Sequence, residues 1–354
     1  MNLTALPLES PAPTRRSPTP ALHRKRRVRR QRLVMAGLAL VLAALALATL
    51  TLGERTYSPL VVWRVLTGEQ VGGAGFVVTE LRLPRVVAGT LAGAAFGMVG
   101  ATFQTLLRNT LASPDVIGVT AGANTAAVVG IVVLGWSGLA LTGLAVVGGL
   151  LTALAVAGLA WRGGAATSRL VLIGIAVAAM ANAATMWVMV RADQFDVAAA
   201  SRWLTGSLAD ADPARTVPLA ACLTVCAPVL LASSRRLDAA VLGDETATGL
   251  GVDVAGTRLL VMTTGVVVLS VATATTGPIT FVALLCGPVA AHLCGRATAP
   301  LAASGLTGSV LVLASDLVAS HALPHVYPVG VVTGVLGGAY LVVALVRTSR
   351  KDIP

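Results

Sequence analysis

Charge is what this chain has least of. Only 12% of its 354 residues are Asp, Glu, Lys or Arg, against about 25% in a soluble domain. That leaves too little polar surface to keep a chain of this size in water. Catalytic motifs are missing too. The sequence holds no phosphate-binding Gly-x-x-x-x-Gly-Lys-Ser/Thr loop, no Gly-x-Ser-x-Gly elbow and no His-Glu-x-x-His zinc motif. Cysteine is sparse: Cys222, Cys226, Cys286 and Cys294 lie in apolar runs and make no zinc spacing with histidine. They read as small buried hydrophobes and offer no disulfide framework. His23 lies in the N-terminal region, and His292, His321 and His325 lie near expected membrane boundaries. The chain around His321 and His325 supplies no further ligands, so no metal and no cofactor is expected.

What the chain has in abundance is apolar sequence. Hydrophobic residues make up 56% of it, in runs that recur at about the 20 residues a helix needs to cross a bilayer. The 37 glycines would weaken helices in water, but in a membrane small residues let helices pack closely. The fold class expected is therefore an all-α integral membrane protein with about ten transmembrane helices, near 33–52, 84–107, 115–135, 138–160, 170–190, 216–233, 257–275, 278–295, 301–320 and 329–346. A soluble α/β protein with buried Ala/Val/Gly helices is the alternative that this composition argues against.

Orientation follows from charge. With the N-terminus inside and the spans alternating, the inner segments collect nine Lys and Arg before the first span, then Arg108, Arg162, Arg169, Arg235, Arg236, Arg258, Arg296, Arg347, Arg350 and Lys351. The outer segments hold Arg55, Arg64, Arg82, Arg85, Arg191, Arg202 and Arg215, balanced by Glu54, Glu69, Glu80, Asp193, Asp196, Asp210 and Asp212. The cationic excess is all on one side, as the positive-inside rule requires. An even number of spans then puts both termini in the cytoplasm.

Residues 1–32 are expected to be a disordered, basic cytoplasmic tail. The stretch Pro11–Pro20 is rich in Pro, Ser and Thr, and the block from Arg24 to Arg32 would anchor on anionic lipid. The apolar run that follows is too long for the core of a signal peptide. No folded soluble domain accompanies the block, so nucleic acid is not an expected partner. Residues 33–348 form the membrane domain, with a cytoplasmic loop at 237–254, and 349–354 a second cytoplasmic tail. Residues 53–80 make a long outer segment, read as an amphipathic helix on the surface. Asp316 is the one acid deep in a span, a functional suspect by default, and reads as a packing carboxylate hydrogen-bonded by its neighbours.

The most informative stretch runs from Leu81 to Ala123. Arg82 and Arg85 flank Pro84, read as a helix start. Gly89, Gly93, Gly97 and Gly100 then fall near one stripe, and the turn Arg108-Asn-Thr-Leu-Ala-Ser-Pro-Asp115 follows at the inner face. This segment resembles the FecCD family of permeases, whose signature reads R-L-P-R, a Gly/Ala-rich helix, then Q-x-L-x-R-N-P-L-A-x-P-x-x-L-G-V-x-x-G-A. Thr110 stands where the family usually has Pro. Further stretches carry the resemblance: Arg202-Trp-Leu-Thr-Gly-Ser-Leu208, Leu242–Val252, Thr276-Gly-Pro-Ile-Thr-Phe-Val282 and Pro328–Gly334. After Phe281 the family continues to P-H-I-A-R, whereas this chain reads Gly287-Pro-Val-Ala-Ala291, so no role for that His or Arg carries over.

The resemblance implies a transport subunit that hydrolyses nothing itself. It implies a second permease subunit, the same or paralogous, two cytoplasmic ATPase subunits below, and an extracytoplasmic siderophore-binding protein above. On it, Asp244, Glu245, Thr246, Gly249 and Gly251 belong to the ATPase coupling loop, expected as two short helical pieces broken at the glycines. Arg82 and Arg85 are the docking residues for the binding protein, and Asn109 and Leu111 form the cytoplasmic gate. The substrate implied is a ferric siderophore of catecholate type, through Ser113–Gly118 and Trp161-Arg-Gly-Gly164, with other siderophores, haem or cobalamin as alternatives. Two rivals from other classes are a secondary transporter, which would need a charged or unwound midplane site, and a membrane-embedded enzyme, which would need a polar cluster.

Overall fold

The structure is a computed structural model, and it describes residues 20–69, 71–161, 167–296 and 300–349. Among them there is no strand. The helices, in chain order, are α1 (Pro20–Thr51), α2 (Pro59–Leu66), α3 (Ala74–Phe76), α4 (Leu83–Leu106), α5 (Val119–Val132), α6 (Gly138–Trp161), α7 (Thr167–Met189), α8 (Gln194–Thr205), α9 (Pro213–Ala240), α10 (Asp244–Gly249), α11 (Val254–Thr276), α12 (Val282–Cys294), α13 (Leu301–Leu317) and α14 (Val329–Ser349). Seven are long and apolar enough to cross a membrane by length and composition, and three shorter apolar helices, α5, α12 and α14, fall where the other expected spans lie. The chain is a multi-pass protein of the cell membrane.

The centre of the bundle is α4, which is buried along most of its length. The glycine stripe explains how neighbours reach it. A Cβ on Gly93 would stand 2.5 Å from the Gly308 carbonyl oxygen of α13, and one on Gly97 or Gly100 would run into the carbonyls of Ser304 and Ala283. Close backbone approach of this kind is how small residues hold membrane helices together. Packed around α4 is an apolar core that includes Phe96, Phe103, Leu208, Leu219, Leu269 and Val312.

Several boundaries differ from the sequence expectation, each for a physical reason. Helix α1 starts at Pro20, so residues 20–32 are helical where an unstructured tail was expected; residues 1–19 and 350–354 lie outside the described residues, as do Arg162 and Gly163-Gly164. Pro84 lies in the first turn of α4, as read, but the helical path does not start there. The helix begins at Ala74 and passes through a π-helical stretch, Val77–Arg82, into α4, because a wider turn admits the proline ring and its missing N–H. Within 53–80, α2 is amphipathic as expected, with Val62 and Val65 buried and Leu60 and Trp63 exposed. The third expected span is a 3₁₀ turn, Pro114–Ile117, followed by α5 of 14 residues. The eighth is a half-length helix, α12, of 13 residues. Its start is delayed because Gly277 (φ +72°) and Phe281 (φ +63°) hold an unwound segment ahead of it.

Candidate functional site

On the inner face, the turn between α4 and α5 is built by its own side chains. Arg108 takes a left-handed conformation, φ +51°, uncommon for a residue with a Cβ. The Asn109 amide then donates to the Gln104 carbonyl at 3.0 Å, and Asn109 Oδ1 accepts from the Leu111 amide at 2.9 Å. This Asx turn reverses the chain with Thr110 in place of the family's proline. Both expected gate residues, Asn109 and Leu111, are exposed at its tip.

The loop 237–254 lies beside that turn. It contains one short helix rather than two: the first expected piece is the end of α9, which runs on to Ala240, and the second is α10. Gly243 (φ +114°) and Gly251 (φ +81°) make the two breaks, while Gly249 remains helical. Thr246, Asp244 and Glu245 are exposed, and Ala247 is buried and seats the helix. Asp244 is engaged within the chain. Its Oδ1 accepts from Arg108 Nη2 at 2.5 Å and from Arg258 Nη2 at 2.9 Å.

On the outer face, neither expected docking arginine is a free charge. Arg85 forks onto Asp316, with both bonds at 2.8 Å, and its Nη2 also donates to Ser320 Oγ at 2.6 Å. Asp316 is thus the packing carboxylate the sequence suggested, and its partner is the arginine read as a surface residue. Arg82 donates to the Leu50 carbonyl at 2.8 Å and the Arg55 carbonyl at 2.6 Å, and lies over the Tyr57 ring at 5.3 Å. Nearby, Arg64 pairs with Glu69 and holds that carboxyl below its usual range, chiefly through the hydrogen bond. His321 and His325 are exposed.

The interior holds two features that hydropathy could not show. Pro288 in α12 has no N–H to give the Leu284 carbonyl four residues back, and the buried Gln104 supplies one: its Nε2 donates to that carbonyl at 2.9 Å. A cavity of about 280 Å³ also opens between α4, α5, α7 and the unwound segment, with Phe96, Asp115, Thr120, Asn124, Asn182 and Thr280 on its wall. Asp115 accepts from Ser113 Oγ at 2.9 Å and from Thr120 Oγ1 at 2.5 Å, and Asn124 Oδ1 is buried without a partner. The sequence signal for the cavity was present, since two asparagines in apolar spans are costly unless they face one another or a path. Among the described residues no group of three or more His, Cys, Asp and Glu is placed to hold a metal ion.

This architecture has known counterparts. Residues 38–347 match the FecCD transport family. The ferric enterobactin transport system permease protein FepG of Escherichia coli (strain K12) is 41% identical over 324 residues, covering 91% of this chain and 98% of the relative. The achromobactin transport system permease protein CbrC of Dickeya dadantii (strain 3937) is 36% identical, with 89% and 91% covered. The iron(3+)-hydroxamate import system permease protein FhuG of Bacillus subtilis (strain 168) is 31% identical, with 90% and 97% covered. Among solved structures, a chain of a metal-chelate type ABC transporter in an inward-facing conformation superposes with a TM-score of 0.79 at 25% identity, over 89% of this chain and 99% of that one. Sequence and fold agree along nearly the whole membrane domain, and the chain belongs to the FecCD transport family.

Proposed function

We propose that this chain is the permease subunit of an ATP-binding-cassette importer for ferric siderophores, and that its substrate is a catecholate of the enterobactin type. The observation that carries the reading is the continuous match to the FecCD transport family over residues 38–347, with an exposed short helix, α10, on the inner face. It hydrolyses nothing itself. ATP hydrolysis belongs to two cytoplasmic ATPase subunits seated against α10, and a second permease subunit completes the path. Glu245 and Thr246, exposed on α10, are the contacts toward the ATPase, with Gly249 and Gly251 ending the coupling helix. Asn109 and Leu111 close the inner mouth. An extracytoplasmic siderophore-binding protein docks on the outer rim at Arg82, beside Arg85, which the Asp316 pair holds in place. The cavity beside Asn124 and Asn182 gives a polar chelate hydrogen-bonding groups along its way.

The catecholate assignment leans on the 41% identity to the enterobactin permease, while the hydroxamate and achromobactin relatives mark the competing substrates. Growth of a deletion strain under iron limitation on a panel of ferric catecholates, hydroxamates and carboxylates tests it. Loss of growth on the catecholate alone is the expected result. Loss on a different class reassigns the substrate, and unaltered growth on all of them refutes the importer reading. A secondary transporter gains the unwound segment before α12 as a possible site, but it would work without an ATPase. Copurification of an ATP-hydrolysing subunit separates the two.

A further inference from the structure

Asp244 lies where three separate parts of the chain converge. It opens α10, the coupling helix. Arg108, from the turn that carries Asn109 and Leu111, reaches it at 2.5 Å, and Arg258, in the first turns of α11, reaches it at 2.9 Å. The same Arg108 Nη2 also donates to the Ala240 carbonyl at the end of α9, at 2.6 Å. The backbone at Arg108 is held in the left-handed region (φ +51°), a conformation that persists only when surrounding contacts fix it.

The geometry points to Asp244 as a positioning residue: it clamps the coupling helix to the α4–α5 turn, so that movement of α10 is delivered directly to the gate residues. The inference rests on the importer reading above and assigns this acid an internal task instead of a contact with the ATPase. Two features favour a clamp over a simple staple. All three side chains keep a third to a half of their surface in water (42% for Arg108, 48% for Asp244, 32% for Arg258), and exposed ion pairs add little to stability. Stability is therefore not what the cluster supplies. A weak, water-accessible bridge can also open and re-form within a transport cycle, which a buried pair cannot do cheaply. Leu111 lies three residues beyond Arg108, and the Asx turn between them leaves little slack.

The test uses the assembled transporter in lipid vesicles, with its ATPase and binding protein. A cysteine is placed at Leu111, and its labelling by a cytoplasmic thiol reagent is measured with and without nucleotide, against the same chain lacking that cysteine. Asp244→Asn keeps the size and removes the charge. Expected is a labelling rate that no longer depends on nucleotide, and a fall of about 5-fold or more in substrate moved per ATP hydrolysed, the low end of measured inter-site couplings, with the melting temperature of the complex unchanged. Asp244→Glu, which restores the charge, recovers coupling. Arg108→Gln combined with Asp244→Asn costs less than the sum of the two singles, because both remove the Arg108–Asp244 bridge, while each also loses a contact of its own, Ala240 for Arg108 and Arg258 for Asp244. The proposal is overturned if Asp244→Asn gates and couples like the parent, or if Asp244→Glu fails alongside it. If the parent itself binds no ATPase and shows no nucleotide-dependent labelling, the importer reading fails instead.

Discussion

The Arg85–Asp316 pair makes a prediction whose size can be worked from its surroundings. Arg85 spends three donor contacts there, two on Asp316 and one on Ser320. Exposure is uneven: the arginine side chain keeps 24% of its surface in water and the aspartate 3%. Breaking a buried pair by removing one partner costs about 3–5 kcal/mol, most of it the penalty for the charge left behind. Arg85→Met strands the fully enclosed carboxylate, so it should lose close to that whole amount. Asp316→Asn strands the guanidinium, which can turn toward water and still donate to the Asn oxygen and to Ser320, so the loss should be about half as large. Replacing both, Arg85→Met with Asp316→Leu, leaves no orphan charge and should recover most of the stability. Thermal unfolding of the purified protein in detergent, followed for the two single variants and the double, gives the ordering. If the arginine variant is as mild as Asp316→Asn, or the double is no better than the worse single, the pair is not the buried anchor described here.

Three further outcomes follow from particular contacts. Gly100→Ala places a methyl against the Ala283 carbonyl and should cost at least the 1–3 kcal/mol of an overpacked core, seen as loss of a monodisperse peak, whereas Gly75→Ala meets nothing within 4 Å and should be neutral or gain up to about 1 kcal/mol. Gln104→Leu orphans the Leu284 carbonyl and should cost about 1–3 kcal/mol; adding Pro288→Ala restores an N–H within α12 and should return much of it, and a double variant no more stable than Gln104→Leu would refute that account. At the outer rim, Arg82→Gln should slow binding-protein association and flatten its salt dependence, as rim charges do, while Arg85→Gln should show first as a lower melting temperature because its charge is already neutralised. Surface plasmon resonance at two salt concentrations checks the first and thermal unfolding the second, and equal salt slopes for parent and Arg82→Gln would remove Arg82 from the docking surface.

The sequence by itself determined that the chain lives in a membrane, roughly where it crosses, which way it faces and which family signature it carries. Those properties rest on local quantities: apolar run length, the side on which Lys and Arg collect, and residues contiguous in the chain such as Arg82-Leu-Pro-Arg85. The glycine stripe at 89, 93, 97 and 100 was legible for the same reason, since helical spacing alone puts these residues on one face. What only the tertiary structure decided are partnerships between residues far apart in sequence. Arg85 and Asp316 are 231 positions apart and Arg108 and Asp244 are 136 apart, and hydropathy carries no information about which cation meets which anion. The half-length of α12 was hidden too, because a Gly-Pro-Ile-Thr-Phe segment is apolar enough to read as part of a span. It unwinds where Gly277 and Phe281 adopt positive φ, and inside α12 a buried glutamine from α4, rather than the helix's own backbone, satisfies the carbonyl that Pro288 leaves without a donor.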